Sequence, residues 1–162
     1  MDNTSTKDLH LYESGNGGEL LLLNNDLVLS ETLFQTIYLS LFGGNIEAST
    51  TGEESSEEER LDFWANDLIF QTTKSKQMNS ETERTLNSVT INTSGRLKIK
   101  SSVEQDLNYL KKIINFEVDV VILGVDKIEI IIKINSISKQ SNRVFQFIWD
   151  NAKKQLILDK TI

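Results

Sequence analysis

Cysteine and proline are both absent from the 162 residues, and histidine occurs once, as His10. The lack of cysteine excludes disulfides, thiolate metal sites and cysteine nucleophiles. A single histidine leaves no imidazole cluster for a metal and argues against a Ser-His-Asp triad. No apolar run approaches the ~20 residues that span a bilayer. The opening MDNTSTKD also lacks the apolar core of a signal peptide. Cations are outnumbered, with Lys+Arg 17 against Asp+Glu 24 and a formal net charge of −7. Phosphate contacts need clustered Lys and Arg, so neither nucleic acid nor an anionic membrane surface is an expected partner. These absences point to a soluble protein made in the cytoplasm, long enough for one domain with its own core.

What is present is patterned. Residues 1–8 are polar and read as a loose arm. Residues 9–12 suit a short strand, with His10 as an ordinary strand residue. Gly15-Asn16-Gly17-Gly18 suits a turn, and no helix pattern follows closely enough for a phosphate loop. Residues 19–23 and 27–29 form two extended segments around Asn24-Asn25-Asp26. Ser30 is a good N-cap for a helix carrying Leu33, Phe34, Ile37, Tyr38, Leu41 and Phe42 on one stripe, with Glu31, Gln35 and Ser40 off it; Gly43-Gly44 supplies the stop. Residues 45–56 are small, polar and acidic.

A capping box, Ser80-Glu81-Thr82-Glu83, predicts a second helix to about Asn92 with Leu86 and Val89 inward, ended by Gly95. A further box, Ser101-Ser102-Val103-Glu104, predicts a third, with Val103, Leu107, Leu110 and Ile114 on one stripe and Lys111-Lys112 near its C-terminal dipole. Residues 116–123 and 128–134 form a hairpin turning at 124–127. Ile128, Ile130, Ile132 and Ile134 share one face, apolar enough to need a central or covered place in the sheet. Phe145, Phe147 and Trp149 alternate along residues 143–149, a turn at 150–153 follows, and residues 155–158 make the last strand.

The chemistry on offer is thin. Nucleophile elbow, P-loop and dinucleotide fingerprint are all missing. Five glutamates fall between Glu53 and Glu59, but carboxylates in one loop are not held at a fixed separation, and the spacing of a calcium loop is missing. Asp62 suits a local turn role. We therefore expect no catalytic, cofactor-binding or metal residues, and no enzyme. Interface material is present instead. Phe63 and Trp64, with Asp67 close behind, either anchor a partner or cap the chain's own core. The strands carrying Ile130, Ile132, Phe145, Phe147 and Trp149 form a second candidate surface.

The order of segments resembles a known family. "GGELLLLNNDLVLSETLFQTIYLSLFGG" is followed by an acidic linker, then "LDFWAND", a helical segment, and "EQDLNYLKKIINFEVDVVIL" with the isoleucine strand. This order, from Gly17 to Asn135, is similar to the baseplate protein of Mu-like contractile-tailed phages that corresponds to the sheath initiator, or inner wedge protein, of larger myophages. Where that branch tends to have Gly-Trp-Trp-Gly-Asp, this chain has Phe63-Trp64-Ala65-Asn66-Asp67. The broader family's Glu-Pro-Arg motif is missing from a chain without proline.

The resemblance implies an α+β domain whose sheet imitates part of the sheath protein and templates the first sheath ring. It implies six copies per baseplate, and partners among the tail sheath protein, the wedge proteins and the tube or hub. It places the protein in the virion after assembly in the host cytoplasm. The expected architecture is α+β: a small single domain of about three helices on a mostly antiparallel sheet, with an extended N-terminal arm and a C-terminal β-hairpin. The expected division is 1–8, the polar arm; 9–135, the main domain; and 136–162, a hairpin whose removal should impair assembly more than folding. The alternative function is a small adaptor or regulatory domain that binds one protein partner.

Overall fold

A computed structural model describes residues 6–14, 17–44, 78–135 and 143–161, with side chains described for all of these except 13, 14, 17 and 158–161. The fold class is α+β, with three α-helices and antiparallel pairing of every strand among the described residues. The chain divides into two compact units, Met1–Ser80 and Glu81–Ile162.

In the first unit six short strands form three two-stranded arms. Strand β2 (Leu11–Ser14) pairs with β3 (Gly17–Leu20), β4 (Leu22–Leu23) with β5 (Asp26–Leu27), and β1 (Lys7–Leu9) with β6 (Leu29–Glu31). The β4–β5 turn holds Asn24 and Asn25 at φ 53° and 63°. This is the positive-φ pair of a tight hairpin, which asparagine tolerates. Between arms the chain changes partner at His10, Leu21 and Val28. There the backbone closes a ring: His10 N donates to Val28 O (2.9 Å), Val28 N to Leu21 O (2.9 Å), and Leu21 N to His10 O (3.0 Å). Each corner residue thus keeps a backbone partner at the point where its strand leaves one arm for the next.

Helix α1 (Thr32–Phe42) follows β6 directly. Its N-cap is Glu31, extended and without a side-chain cap bond. Ser30, the predicted cap, belongs to β6, and its Oγ accepts from Gln35 Nε2 at 2.9 Å. Phe34, Ile37, Tyr38, Leu41 and Phe42 are buried as the stripe requires, but so is Gln35, which the stripe places outside. The amide of Gln35 explains the difference. Its Oε1 accepts from Leu11 N (3.3 Å) while its Nε2 donates to Ser30, so one buried side chain ties two arms to the helix. The predicted stop is found: Gly44 takes φ 111°. Ser80 returns to this end, its N donating to Gly44 O at 2.9 Å and its Oγ to Leu41 O.

The second unit opens with α2 (Glu81–Ser88) and α3 (Thr93–Asp106), then a 3-10 helix (Asn108–Lys112). Helix α2 is shorter than predicted, with Leu86 buried and Val89 beyond its end. Gly95, predicted to end a helix, lies in the first turn of α3. Asn92 is the N-cap there and its Oδ1 accepts from Gly95 N at 2.8 Å. A Cβ at Gly95 would collide with the Thr90 carbonyl, which is why the turn carries glycine. Ser101-Ser102-Val103-Glu104 is accordingly mid-helix rather than a cap. Ser102 Oγ donates to Lys98 O (3.1 Å) and lies 2.7 Å from Thr85 Oγ1, joining α3 to α2. Val103, Leu107 and Leu110 of the predicted stripe are buried across the change of helix type, while Ile114, its fourth member, is half-buried and lies past the 3-10 helix.

The first amides of α2 find their acceptor at the far end of α3. Glu81 N donates to Asp106 Oδ1 (3.1 Å) and Thr82 N to Oδ2 (2.8 Å). A carboxylate here satisfies two orphan donors and faces the positive end of the α2 dipole.

The sheet runs β10-β9-β8-β7, with β7 Asn115–Ile122, β8 Lys127–Asn135, β9 Arg143–Asp150 and β10 Gln155–Thr161. Helix α3 packs on β7 and α2 on α3. Ile128, Ile130, Ile132 and Ile134 are buried, with Val118, Val120, Phe145, Phe147 and Trp149. The β9–β10 turn is organised by buried Asp150, whose Oδ1 accepts from Ala152 N and Lys153 N, both at 3.0 Å. The C-terminal hairpin therefore forms half of this sheet, and β9 covers the inner edge of β8 along its length.

Two outcomes follow from this packing. Asp106→Ala should lower stability to denaturant by about 1–2 kcal/mol, the usual cost of losing an N-terminal cap, and Asp106→Asn by less. Removal of residues 136–162 should abolish folding of the second unit, not merely assembly as the sequence suggested, because it strips Phe145, Phe147 and Trp149 from the core. Loss of cooperative unfolding followed by circular dichroism would show it; a truncated chain with unchanged cooperativity would refute it.

Candidate protein interface

Of the residues singled out as interface candidates, Phe63, Trp64 and Asp67 lie outside the described residues, as does the acidic run beside them. The other five are described, and the structure corrects their role. Ile130, Ile132, Phe145 and Phe147 have no exposed surface and Trp149 is 2% exposed. Their alternation puts them on one face with Ile128 and Ile134, and that face is buried. A side chain without accessible surface contacts no partner, so these residues build the sheet instead of presenting it. What the sheet can offer is its edges.

Edge polarity follows from the register. Leu123 N donates to Lys127 O at 2.9 Å, so residue 123 is a hydrogen-bonded partner of 127 across the β7–β8 hairpin. Antiparallel pairing alternates, so odd-numbered residues of β7 bond to β8 and even-numbered ones turn their N–H and C=O outward. Val120 is one of the outward residues, and both its groups are taken. Its N–H donates to Asp119 Oδ1 (2.9 Å), and its C=O accepts from Arg96 Nη1 (3.3 Å), reaching over from α3. The middle of this edge is thereby closed to an incoming strand, a common protection of exposed edges. Arg96 and Asp119 were not singled out in the sequence. Each looks like a routine surface charge, and only the phase of the hairpin shows what they do.

Beside this edge lies an open groove of about 460 Å³, lined by Lys100, Glu104, Lys111, Phe116, Glu117 and Lys133 among others. Lys111 Nζ sits 5.7 Å from the centre of the Phe116 ring, a cation–π contact. The charges lining the groove balance, so it has no field of one sign with which to select an ion. At the opposite edge, β10 pairs with β9 through a register shift between Leu156 and Leu158. Among the described residues no three His, Asp or Glu side chains converge as a metal set, and no helix is long and apolar enough to cross a membrane.

No family model, no curated protein and no solved structure matches the chain.

The closed edge is open to experiment. Arg96→Ala combined with Asp119→Ala frees both groups of Val120 and should increase self-association, seen as a higher apparent mass in light scattering than for the parent at equal concentration. Stability should change by only about 1–3 kcal/mol, the net worth of two hydrogen bonds. A double variant that scatters like its parent would remove the protective role.

Proposed function

We propose that the protein is a structural component of a contractile-tail baseplate, joining wedge proteins to the first sheath ring and templating sheath assembly without catalysis. The observation that carries this reading is the order of segments from Gly17 to Asn135, which resembles the sheath-initiator family of Mu-like phages. An α+β chain with a mostly antiparallel sheet is consistent with it. In this reading the tail sheath protein and the baseplate wedge proteins are the partners, the tube or hub is a further neighbour, and six copies follow the symmetry of the tail. Neither nucleic acid nor membrane is engaged, and no cofactor is needed. With the Val120 position of β7 occupied, β10 is the edge offered to a sheath strand.

Deletion of the gene followed by electron microscopy of the particles tests the proposal. Tails should lack an assembled sheath. Normal sheathed, contractile tails would overturn it. So would a gene neighbourhood without tube, sheath and wedge genes, which would favour an adaptor that binds one partner.

A further inference from the structure

Only part of the β7 edge is closed at Val120. Phe116 and Val118 are even-numbered like Val120, so their N–H and C=O groups also point away from β8. Among the described residues nothing bonds these four groups. The groove of about 460 Å³ lies along the same stretch. Four consecutive β7 residues line it, Phe116, Glu117, Val118 and Asp119, together with Lys100 and Glu104 of α3. Arg96, Lys100 and Glu104 recur at one-turn spacing, so one row of α3 side chains runs beside the edge. Val118 is only 6% exposed. Backbone groups this enclosed are rarely left without a partner.

The slot is short. Arg96 and Asp119 stop it at Val120, and Lys111, held over the Phe116 ring, stands at its other end. Two donor–acceptor pairs set two residues apart match the main chain of an added strand. The balanced charges of the groove suit a backbone, which carries no net charge. Side-chain chemistry follows from alternation in an antiparallel addition. Incoming residues opposite Phe116 and Val118 share their face, toward α3, where the Phe116 ring and the stems of Lys100 and Lys111 offer apolar surface. The residue between them stands directly opposite Glu117 on the outer face. Glu117 and Asp119 are both exposed there, and opposite charges across such a pair are favourable.

We propose that the Phe116–Val118 edge docks a short extended segment of a partner protein, apolar–basic–apolar in order, through main-chain bonds to both residues and a Lys or Arg opposite Glu117. A second copy of β7 fits worse. The antiparallel register that uses both residues sets Glu117 against Glu117, and like charges directly opposite are destabilising. The inference stands on the geometry of this edge and does not depend on the tail reading, in which β10 takes the sheath strand.

The test uses the full chain and a labelled Thr-Val-Lys-Val-Thr peptide with blocked ends. Fluorescence polarisation should show saturable binding. Methyl groups on both valine nitrogens remove the two donors without altering a side chain, and should weaken binding at least about tenfold. Glutamate in place of the peptide's lysine should weaken binding several-fold. Glu117→Lys should reverse that preference while the circular dichroism spectrum is kept. Should this variant misfold, hydrogen exchange on the parent chain gives the second readout. The Phe116 and Val118 amides, which β8 does not hold, should exchange more slowly with saturating peptide than without it. Absence of saturable binding, or equal binding of the methylated peptide, would overturn the proposal. So would an unreversed preference in the folded variant, or exchange at both amides that the peptide leaves unchanged. Self-association of the chain that the peptide dissolves would assign the edge to a second copy and overturn it too.

Discussion

The register of β8 is the constraint on which the second unit depends. This strand is bonded on both sides, and its four isoleucines project to one face because side chains alternate with a period of two. A slip of one residue against either neighbour would send that whole set to the other face. Each fully buried isoleucine contributes roughly 1.5–3 kcal/mol, so no single cap or turn in the unit could offset the slip. The rest is arranged around that registration. The Asp150 turn delivers β10, the four-residue connection at 123–126 delivers β7, and α3 lies on β7 with α2 held to it by Asp106 and by the Thr85–Ser102 hydroxyl pair.

The first unit solves a different problem. Isolated two-stranded ribbons are marginal in water, and this unit has three of them. Among the described residues none has a third strand. What they share is the ring at His10, Leu21 and Val28 and the buried amide of Gln35, which engages one strand of each of two arms from α1. Backbone satisfaction at the three corners is what lets the arms meet at one point.

Much of this was readable in advance wherever periodicity carries the information. The alternating isoleucines, the Phe145-Phe147-Trp149 alternation, the α1 stripe and the Asn24-Asn25 turn all appear in the structure where pattern placed them. The misreadings share one cause. Gly95 looks like a helix stop because glycine is favoured after a helix, yet it sits in a first turn where Thr90 leaves no room for a side chain. Gln35 looks exposed because hydrophobic periodicity gives no signal for a buried amide with two partners. Asp106, Arg96 and Asp119 act on backbone groups that only the folded chain brings to them. The interface residues suffered similarly. A run of aromatics and isoleucines is the same in sequence whether it faces a partner or a core, and here the five described ones face a core. His10, Leu21 and Val28 were seen only as parts of extended segments, because nothing local shows that the chain changes partner there.

The ring also has a consequence for the order in which the chain assembles. The β4–β5 hairpin is closed by two residues and can form within microseconds. The β1–β6 arm joins Lys7 to Glu31, and the entropy of closing that longer loop is repaid only once the intervening strands are in place. Each corner bond continues the register of one arm, Val28 N to Leu21 O that of β4–β5, Leu21 N to His10 O that of β2–β3 and His10 N to Val28 O that of β1–β6, so it closes with that arm. The β1–β6 arm spans the largest sequence separation of the three, so its closure costs the most loop entropy. In a chain being synthesised β1 emerges before β6, and it has no strand to pair with until residues 29–31 have followed.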